Sequence, residues 1–318
     1  MAIGSDRGRM LRPLTPRELL LLVLLALAVL GCGGEESVTG PAPLPSVAPS
    51  MAPPHAALPP HIFGAFASSA DVPEIGPQGG NVVLVVPTYA DDPERVALAL
   101  QANGKVAIVS AHHVFGGPRE TWGVDPAPGG QALAAPRAYQ IHGATAVSVG
   151  GWLQTRDWMK PLEARGLVAA VYVVDEPLHN GIPAARRDEA IAIVRAAGYR
   201  TVVAEWVDRA LITPARPPVD LYGVSCYSWP GPGSWSLDRC VEAYRTHPGW
   251  DLVFAQGFDL QQTTGYNGAV AGQIARWAAL PRDFGRAGVL FWVARWPGQT
   301  GILDDPDLLA AYRKAGSQ

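Results

Sequence analysis

Short apolar runs recur eight times between residues 62 and 294, and segments with helical periodicity separate them. Such a run, with β-branched residues at successive positions, is typical of a strand that is covered on both faces, as strands of parallel sheets are. Parallel neighbours need crossover connections, and helices usually supply them. The predicted strands are Ile62–Ala67, Val82–Pro87, Val106–Ala111, Leu167–Val174, Thr201–Glu205, Leu221–Tyr227, Leu252–Gln256 and Val289–Ala294.

The number and spacing of these units predict the fold. Eight strand–helix units over about 255 residues match the size of a closed (β/α)8 TIM barrel, an α/β fold that forms a single domain. The competing fold, a doubly wound open sheet, normally carries a glycine-rich phosphate-binding turn after its first strand, and the sequence has none. A Gly/Pro-rich segment from Phe115 to about Gly150 predicts an enlarged loop over the barrel mouth, and Pro161 is expected to interrupt the following helix.

The first 60 residues are predicted to lie outside the barrel. Four arginines, the last of them Arg17, precede an apolar run from Leu19 to Leu30 that is short for a membrane span. The run ends in Val29-Leu30-Gly31-Cys32, which resembles the bacterial lipobox, where the signal is removed before the cysteine and the thiol carries lipid. The alternative is a plain secretory signal with an incidental cysteine.

The lipobox resemblance implies a domain organisation and a location. Residues 1–31 are then a lipoprotein signal peptide, and residues 32–60, rich in Pro, Ala and Ser, are a disordered linker that begins with the lipidated Cys32. Residues 61–318 form the barrel domain. We expect a membrane-anchored lipoprotein of the cell envelope, on the periplasmic or extracellular face.

Composition narrows the classes of partner. The chain has 25 basic and 28 acidic residues, a formal charge of −3 and no basic cluster in the folded part, so a nucleic-acid partner is not expected. No nucleophile elbow, His-Glu-x-x-His or P-loop motif is present, and no cofactor is expected. Ten Trp and nine Tyr supply flat aromatic faces of the kind that hold sugar rings. We expect a monomer.

Two cysteines follow the lipobox. Cys226 closes the sixth strand on its outward side, by parity with Val224, and Cys240 lies on the inward stripe of the next helix. Export permits a disulfide between them. Two buried free thiols are the equal alternative.

Candidate site residues follow from the barrel, because the carboxyl ends of its strands meet at one face. The fourth run, Leu167–Pro177, ends in Asp175, Glu176 and a helix-excluding proline. Glu205 ends the fifth strand. The polar and aromatic residues at the strand ends, expected to bind substrate, are Tyr89, His112, Trp206, Tyr227, Gln256, Trp292 and Arg295. A metal is not expected at His112-His113, since successive strand side chains face opposite ways.

Residues 61–315 resemble a barrel-type glycoside hydrolase. The Asp175-Glu176-Pro177 ending, with Tyr227 and Trp292, is similar to the cellulase-like clan, whose acid/base Glu follows a polar residue at that strand end. The resemblance implies that Glu176 is the general acid/base and that the substrate is an oligosaccharide or polysaccharide. One departure matters: the clan places its nucleophilic Glu at the end of strand seven, where this chain has Gln256.

Three interpretations remain open. In barrel-type β-N-acetylhexosaminidases, which also carry neighbouring acids on strand four, one acid orients the substrate acetamide and the next protonates the leaving oxygen. By that resemblance Asp175 is the stabiliser, Glu176 the acid/base and Tyr227 a hydrogen-bond donor. A two-carboxylate glycosidase would instead pair Glu176 with Glu205, about 5 Å apart for retention or about 6.5–9.5 Å for inversion. The third is a noncatalytic carbohydrate-binding protein with a degenerate barrel.

Overall fold

We analysed a computed structural model of the chain. It describes residues 55–117, 122, 151–212, 215–227, 236–260, 269–295 and 299–317. The predicted signal peptide, Cys32 and most of the predicted linker lie outside the described residues, as does nearly all of the predicted loop up to Gly150.

Eight parallel strands close into a barrel, which confirms the predicted fold. Each strand pairs with its neighbours along the chain, and the first and last pair with each other, Ile62 opposite Gly288. Two further short strands pair antiparallel beside the barrel. In chain order the strands are β1 Ile62–Ser68, β2 Val82–Val86, β3 Val106–Ser110, β4 Val168–Asp175, β5 Thr201–Trp206, β6 Leu221–Cys226, β7 Leu252–Gln256, β8 Asp259–Leu260, β9 Gly288–Trp292 and β10 Gln299–Thr300; β8 and β10 form the antiparallel pair.

Helices connect the strands and cover the outside of the barrel. Two 3-10 turns, Ser69–Asp71 and Gly76–Gln78, flank the first short helix. The helices are α1 Val72–Ile75, α2 Pro93–Ala102, α3 His112–Phe115, α4 Trp152–Ala164, α5 Ala184–Ala196, α6 Val207–Ile212, α7 Leu237–Thr246, α8 Ala269–Asp283 and α9 Pro306–Gly316.

Local sequence signals explain several helix ends. The Asp92 carboxylate accepts the backbone N–H of Glu94 at 2.9 Å and so caps the start of α2. Asp305 caps α9 in the same way. The expected break at Pro161 is wrong, because α4 runs through it. Proline removes the N–H that would bind the carbonyl of Asp157, and since Asp157 is exposed, water can satisfy that carbonyl.

The apolar residues form two clusters, one inside the barrel and one between strands and helices. Along β5, Val202 and Ala204 belong to the interior cluster and Val203 to the outer layer. The β4 strand breaks this alternation, because its register against β5 shifts between Tyr172 and Val174. Val173 and Val174 both lie in the outer layer, so the residue after them returns to the interior side.

The disulfide is present, which decides between the two alternatives for the cysteines. Cys226 and Cys240 are bonded with their Cα atoms 6.1 Å apart, and both are buried in the outer layer. The bond ties β6 to α7, and Cys226 faces outward with Val224 as predicted.

The segment before β1 contacts the barrel earlier than the predicted boundary at residue 61. The backbone N–H of Ala56 donates to the carbonyl of Val168 at 3.0 Å. The ring of His55 lies 5.2 Å from that of Tyr199. Within the described ranges, no helix has both the length and the apolar character needed to cross a bilayer.

Candidate active site

The acidic doublet lies at the carboxyl end of β4, where the backbone takes an unusual turn. Asp175 ends the strand and Glu176 follows with φ of 43°, in the left-handed region that non-glycine residues rarely adopt. Hydrogen bonds hold this conformation: the N–H of Glu176 donates to Ala204 at 3.0 Å, and its carbonyl accepts from the N–H of Asn180 at 2.9 Å. The Asn180 amide also donates to the Asp175 carbonyl at 3.0 Å. Outliers of this kind cluster at functional sites.

Tyr172 positions the Asp175 carboxylate. The Tyr172 hydroxyl donates a hydrogen bond to Asp175 Oδ1, and its ring stacks on Phe254 at 5.4 Å inside the barrel. The Phe66 ring is perpendicular to that of Tyr172, with the ring centroids 5.7 Å apart. Burial, followed by the charge of Asp175, raises the pKa of Tyr172 well above its usual value, so the phenol remains a neutral donor. Asp175 is thus anchored to the barrel interior.

Glu176 has the electrostatic environment of a general acid. Burial is the largest cause of a pKa raised well above the usual value, and the charge of Asp175 adds to it. The Ser225 hydroxyl partly offsets the rise, and the charge of Glu205 reinforces it. Burial and the charges of Glu176 and Asp175 also raise the pKa of Tyr227, so this phenol lies beside the doublet. A carboxyl group in these surroundings retains its proton at higher pH than an exposed one.

Aromatic side chains line the barrel mouth around the doublet. The Trp206 ring lies 5.4 Å from that of Tyr227, which in turn lies 5.7 Å from Phe258. His179 packs on Trp206 at 5.3 Å. Trp292 packs edge-on against Phe66 at 4.6 Å, on the interior side of β9. Trp206 and Trp292 are both partly exposed, as sugar-binding rings must be.

Glu205 faces away from the doublet. It alternates with Val203, which lies in the layer between strands and helices, and only 1% of Glu205 is exposed. Its carboxylate accepts three backbone N–H groups, from Leu178 at 2.8 Å, His179 at 3.1 Å and Trp206 at 2.9 Å. Burial nevertheless raises its pKa. Glu205 therefore anchors the loop after Glu176. It does not have the geometry of a catalytic carboxylate paired with Glu176.

Arg295 is engaged by three acidic residues of neighbouring segments. Its guanidinium forms ion pairs with Asp71 at 3.0 Å, Glu74 at 3.0 Å and Asp304 at 2.9 Å. Hydrogen bonds to Glu74 and Asp304 raise the pKa of Arg295. The residue was predicted to bind substrate, but these contacts give it a structural role, joining the segment after β1 to the segment before α9.

The polar residues at the ends of β2 and β3 divide between the two layers. Tyr89 packs against the outer layer, and its hydroxyl lies 2.6 Å from both His113 Nε2 and Thr155 Oγ1. The predicted contact of Tyr89 with substrate is therefore not supported. His112 lies 6.2 Å from the Tyr172 ring and hydrogen-bonds Ser110. Burial lowers the pKa of His112 to about 4. The neutral imidazole of His112 therefore lies next to Tyr172, whose hydroxyl binds Asp175.

Gln256 ends β7 on the interior side, opposite Trp292 in the strand register. Its Nε2 donates to the Phe258 carbonyl at 3.0 Å, and 1% of the residue is exposed. An amide cannot act as a nucleophile at an anomeric carbon. The described residues also contain no group of three or more His, Cys, Asp and Glu placed to hold a metal ion.

Four further residues around the doublet were not among the predicted site residues: Tyr172, Asn180, Ser225 and Phe258. The period-two pattern of β6 places Ser225 on the same face as Tyr227, so the sequence contained a signal for Ser225. The pairing of Tyr172 with Asp175, three residues apart, has no such signal because it depends on the irregular register of β4.

Comparisons with known proteins add little to this geometry. No family model and no curated protein matches the chain. Solved structures that match include ScGas2 in complex with compound 11, at 11% identity and a TM-score of 0.49 over 81% of this chain and 65% of that one. Native xylanase 10B from Thermotoga maritima matches at 11% identity and a TM-score of 0.43, over 81% and 95% of the two chains. D-psicose 3-epimerase in the presence of D-fructose matches at 11% and 0.41, over 80% and 97%.

The chain spans just under two thirds of the length of the ScGas2 chain. Likenesses at these identities and TM-scores concern the barrel and carry no argument about activity.

Proposed function

We propose that this protein is a glycoside hydrolase that acts on a cell-envelope or extracellular glycan, with Glu176 as general acid/base and Asp175 as its partner. The observation that carries the proposal is the acidic doublet on the interior side of the barrel mouth, with Asp175 held by Tyr172 and the pKa of Glu176 raised by burial and by Asp175. A carboxyl group with a raised pKa beside a second carboxyl group is a pairing that suits glycosidic cleavage.

A substrate-assisted mechanism fits the doublet best. Glu176 gives its proton to the glycosidic oxygen as the bond from that oxygen to the anomeric carbon breaks. The carbonyl oxygen of a 2-acetamido group on the same sugar then bonds to the anomeric carbon, while Asp175 accepts the acetamide N–H. Water next attacks the anomeric carbon, the ionised Glu176 takes the water proton, and the acetamide is released. In this proposal Tyr227 donates a hydrogen bond to the acetamide oxygen or to a ring hydroxyl.

The orientation of Glu205 argues against an ordinary two-carboxylate mechanism. A nucleophile or base must reach the face of the sugar opposite the acid. Glu205 instead lies in the outer layer with its oxygens occupied by backbone donors. Because Gln256 stands at the end of β7, a substrate acetamide is the nucleophile most compatible with the described residues.

Noncatalytic binding of a carbohydrate is the second candidate function. The observation that favours it is the same amide at the end of β7, which leaves the doublet without a described carboxylate across the barrel mouth. This protein would use Trp206, Trp292 and Tyr227 to hold a sugar and would release no product.

One experiment separates the two functions. The wild-type protein, Glu176→Gln and Asp175→Asn are assayed with aryl glycosides, including 4-nitrophenyl N-acetyl-β-D-glucosaminide, and sugar binding is measured by titration calorimetry. Hydrolysis predicts turnover that Glu176→Gln abolishes, with calorimetric binding retained. Binding by the wild type with no turnover of any glycoside supports the second candidate, and undiminished turnover in Glu176→Gln removes the mechanism.

For the chain as a whole we propose a monomeric lipoprotein, with residues 1–31 as the signal peptide and a lipid on Cys32 that anchors it to the membrane of the cell envelope. The Val29-Leu30-Gly31-Cys32 motif supports this location. Replacement of Cys32 by Ser should release the protein from the membrane fraction. Unchanged membrane association of that variant would contradict the anchor.

A further inference from the structure

We propose that Gln256 determines substrate specificity through Oε1, which accepts a hydrogen bond from a hydroxyl or amide N–H of the sugar in the barrel mouth. The inference deepens the proposed function and rests on a sugar being its ligand. It assigns the atom, the direction of the hydrogen bond and the chemical group of the ligand.

The orientation of the Gln256 amide is fixed by its own turn. Nε2 lies 3.0 Å from the carbonyl of Phe258, two residues further along. A carbonyl oxygen can only accept, so the amide nitrogen must face it and the amide oxygen must point the other way. The side chain therefore presents an acceptor, not a donor, at its free end.

Among the residues that the structure describes, none donates a hydrogen bond to the amide oxygen of Gln256. This Oε1 atom is buried, and 1% of the whole residue is exposed. Buried acceptors are nearly always paired in native proteins, and an unpaired one costs free energy. An acceptor that is both held in place and unsatisfied is suited to a donor that arrives with a ligand.

The surroundings of Gln256 place that ligand beside the doublet. Gln256 alternates with Phe254, an interior residue that stacks on Tyr172, and Tyr172 holds Asp175. On one side Gln256 is in register with Trp292. On the other, the Phe258 ring that follows it contacts Tyr227. A sugar seated against these rings would present its polar edge to Oε1.

The neighbouring strand supports the same interpretation. Ser225 Oγ is also buried, and it lies within hydrogen-bonding reach of Glu176, whose pKa it lowers. Ser225 and Gln256 thus supply polar groups from two adjacent strands, β6 and β7. Sites built to bind a polar group reject analogues that lack it, because the protein atoms are then left unpaired.

The test combines protein variants with ligand analogues. Titration calorimetry on the full chain uses methyl N-acetyl-β-D-glucosaminide, its monodeoxy derivatives and the analogue with an ester in place of the amide. Gln256→Leu removes the acceptor at similar volume, Gln256→Glu keeps an oxygen, and the exposed Gln154→Leu on α4 is the matched control. Melting temperatures verify that the variants fold.

For Gln256→Leu we expect a Kd for the parent sugar that is about 3- to 10-fold higher, the worth of one neutral hydrogen bond. One analogue should bind the wild type more weakly by a similar factor, and Gln256→Leu should bind that analogue as it binds the parent. Gln256→Glu should lose less than Gln256→Leu, and Gln154→Leu should match the wild type.

Three results would overturn the inference. The first is equal binding of all analogues by the wild type, a result that does not depend on any variant folding. The second is additivity of the effect of Gln256→Leu with the effect of every analogue. The third is a failure of the parent sugar to bind. If Gln256→Leu and one analogue weaken binding non-additively but the protein does not turn over the aryl glycoside, this inference holds and the proposed hydrolysis is refuted.

Discussion

Replacement of Glu205 tests whether this buried acid supports the site or performs its chemistry. In Glu205→Ala, the backbone N–H groups of Leu178, His179 and Trp206 lose their shared acceptor. A hydrogen bond to a charged group contributes about 1.5–3 kcal/mol, but the loop can relax towards water, so the sum overstates the loss. A buried N–H left without a partner costs about 1–3 kcal/mol, so for three donors in a loop that partly relaxes we expect a loss of about 3–5 kcal/mol. For a domain of this size that loss corresponds to a Tm lower by roughly 6–12 °C.

Glu205→Gln should have a smaller effect for a geometric reason. His179 and Trp206 both donate to Oε1, whereas Leu178 donates to Oε2. A glutamine can keep its oxygen at the first position and must then place its amide nitrogen against the Leu178 N–H. One hydrogen bond is lost and two donors meet, so we expect a loss of about 1–3 kcal/mol.

Thermal unfolding followed by circular dichroism, together with kcat and KM for the aryl glycoside, checks both expectations. Leu178 and His179 follow Glu176 closely, so loosening the loop should lower kcat partially without changing the pH limits of activity. The exposed Glu242→Gln on α7 is the control and should leave Tm and kcat unchanged. If Glu205→Gln keeps the wild-type Tm but loses turnover as completely as Glu176→Gln, Glu205 is a chemical group and the anchoring role is refuted.

Three other changes follow from the structure. Asp175→Asn removes a negative neighbour of Glu176, lowers the pKa of that acid and should move the alkaline limit of kcat/KM to lower pH; an unmoved limit contradicts the coupling. Glu176→Gln should have a higher Tm than wild type near neutral pH but not below pH 4.5, the usual pKa of Glu. Above pH 4.5 the wild-type protein loses up to about 1.4 kcal/mol of stability per pH unit, until the raised pKa of the buried Glu176 is passed. A difference in Tm that stays constant with pH would argue against burial as the cause. Reduction of Cys226–Cys240 should destabilise the barrel by about 3 kcal/mol, seen as a lower urea midpoint that the double serine variant reproduces; an unchanged midpoint would contradict this.

Much of the fold could be predicted because its signals are local. The Asp92 cap and the proline after Asp305 are read from neighbouring residues, and both begin helices where expected. The eight apolar runs become the eight barrel strands. In a parallel sheet the backbone of each strand hydrogen-bonds to its neighbours and both faces of the strand are buried, which suits a continuous apolar run. Pro161 was the exception, because the loss of one exposed helical hydrogen bond is weaker than the packing of the rest of α4.

The candidate site could be predicted only in outline. The acidic doublet, Trp206 and Tyr227 lie at or next to the carboxyl ends of β4, β5 and β6, and their roles stay predictions. Glu205 and Arg295 were expected at the barrel mouth as well, yet the first lies in the outer layer and the second joins an ion-pair cluster. A position at a strand end does not by itself show that a polar residue contacts substrate. The direction of the side chain and its partners from distant parts of the chain also matter.

By itself, the sequence determined the number of units, their closure into a barrel and the strand that delivers Asp175 and Glu176. Hydrophobic periodicity and turn chemistry act over a few residues, so they can be read without coordinates. Only the tertiary structure decided which way each acid points, because the register shift in β4 depends on the pairing of two strands. The raised pKa of Glu176 and the unpaired oxygen of Gln256 likewise depend on residues far apart in the chain that the barrel brings together.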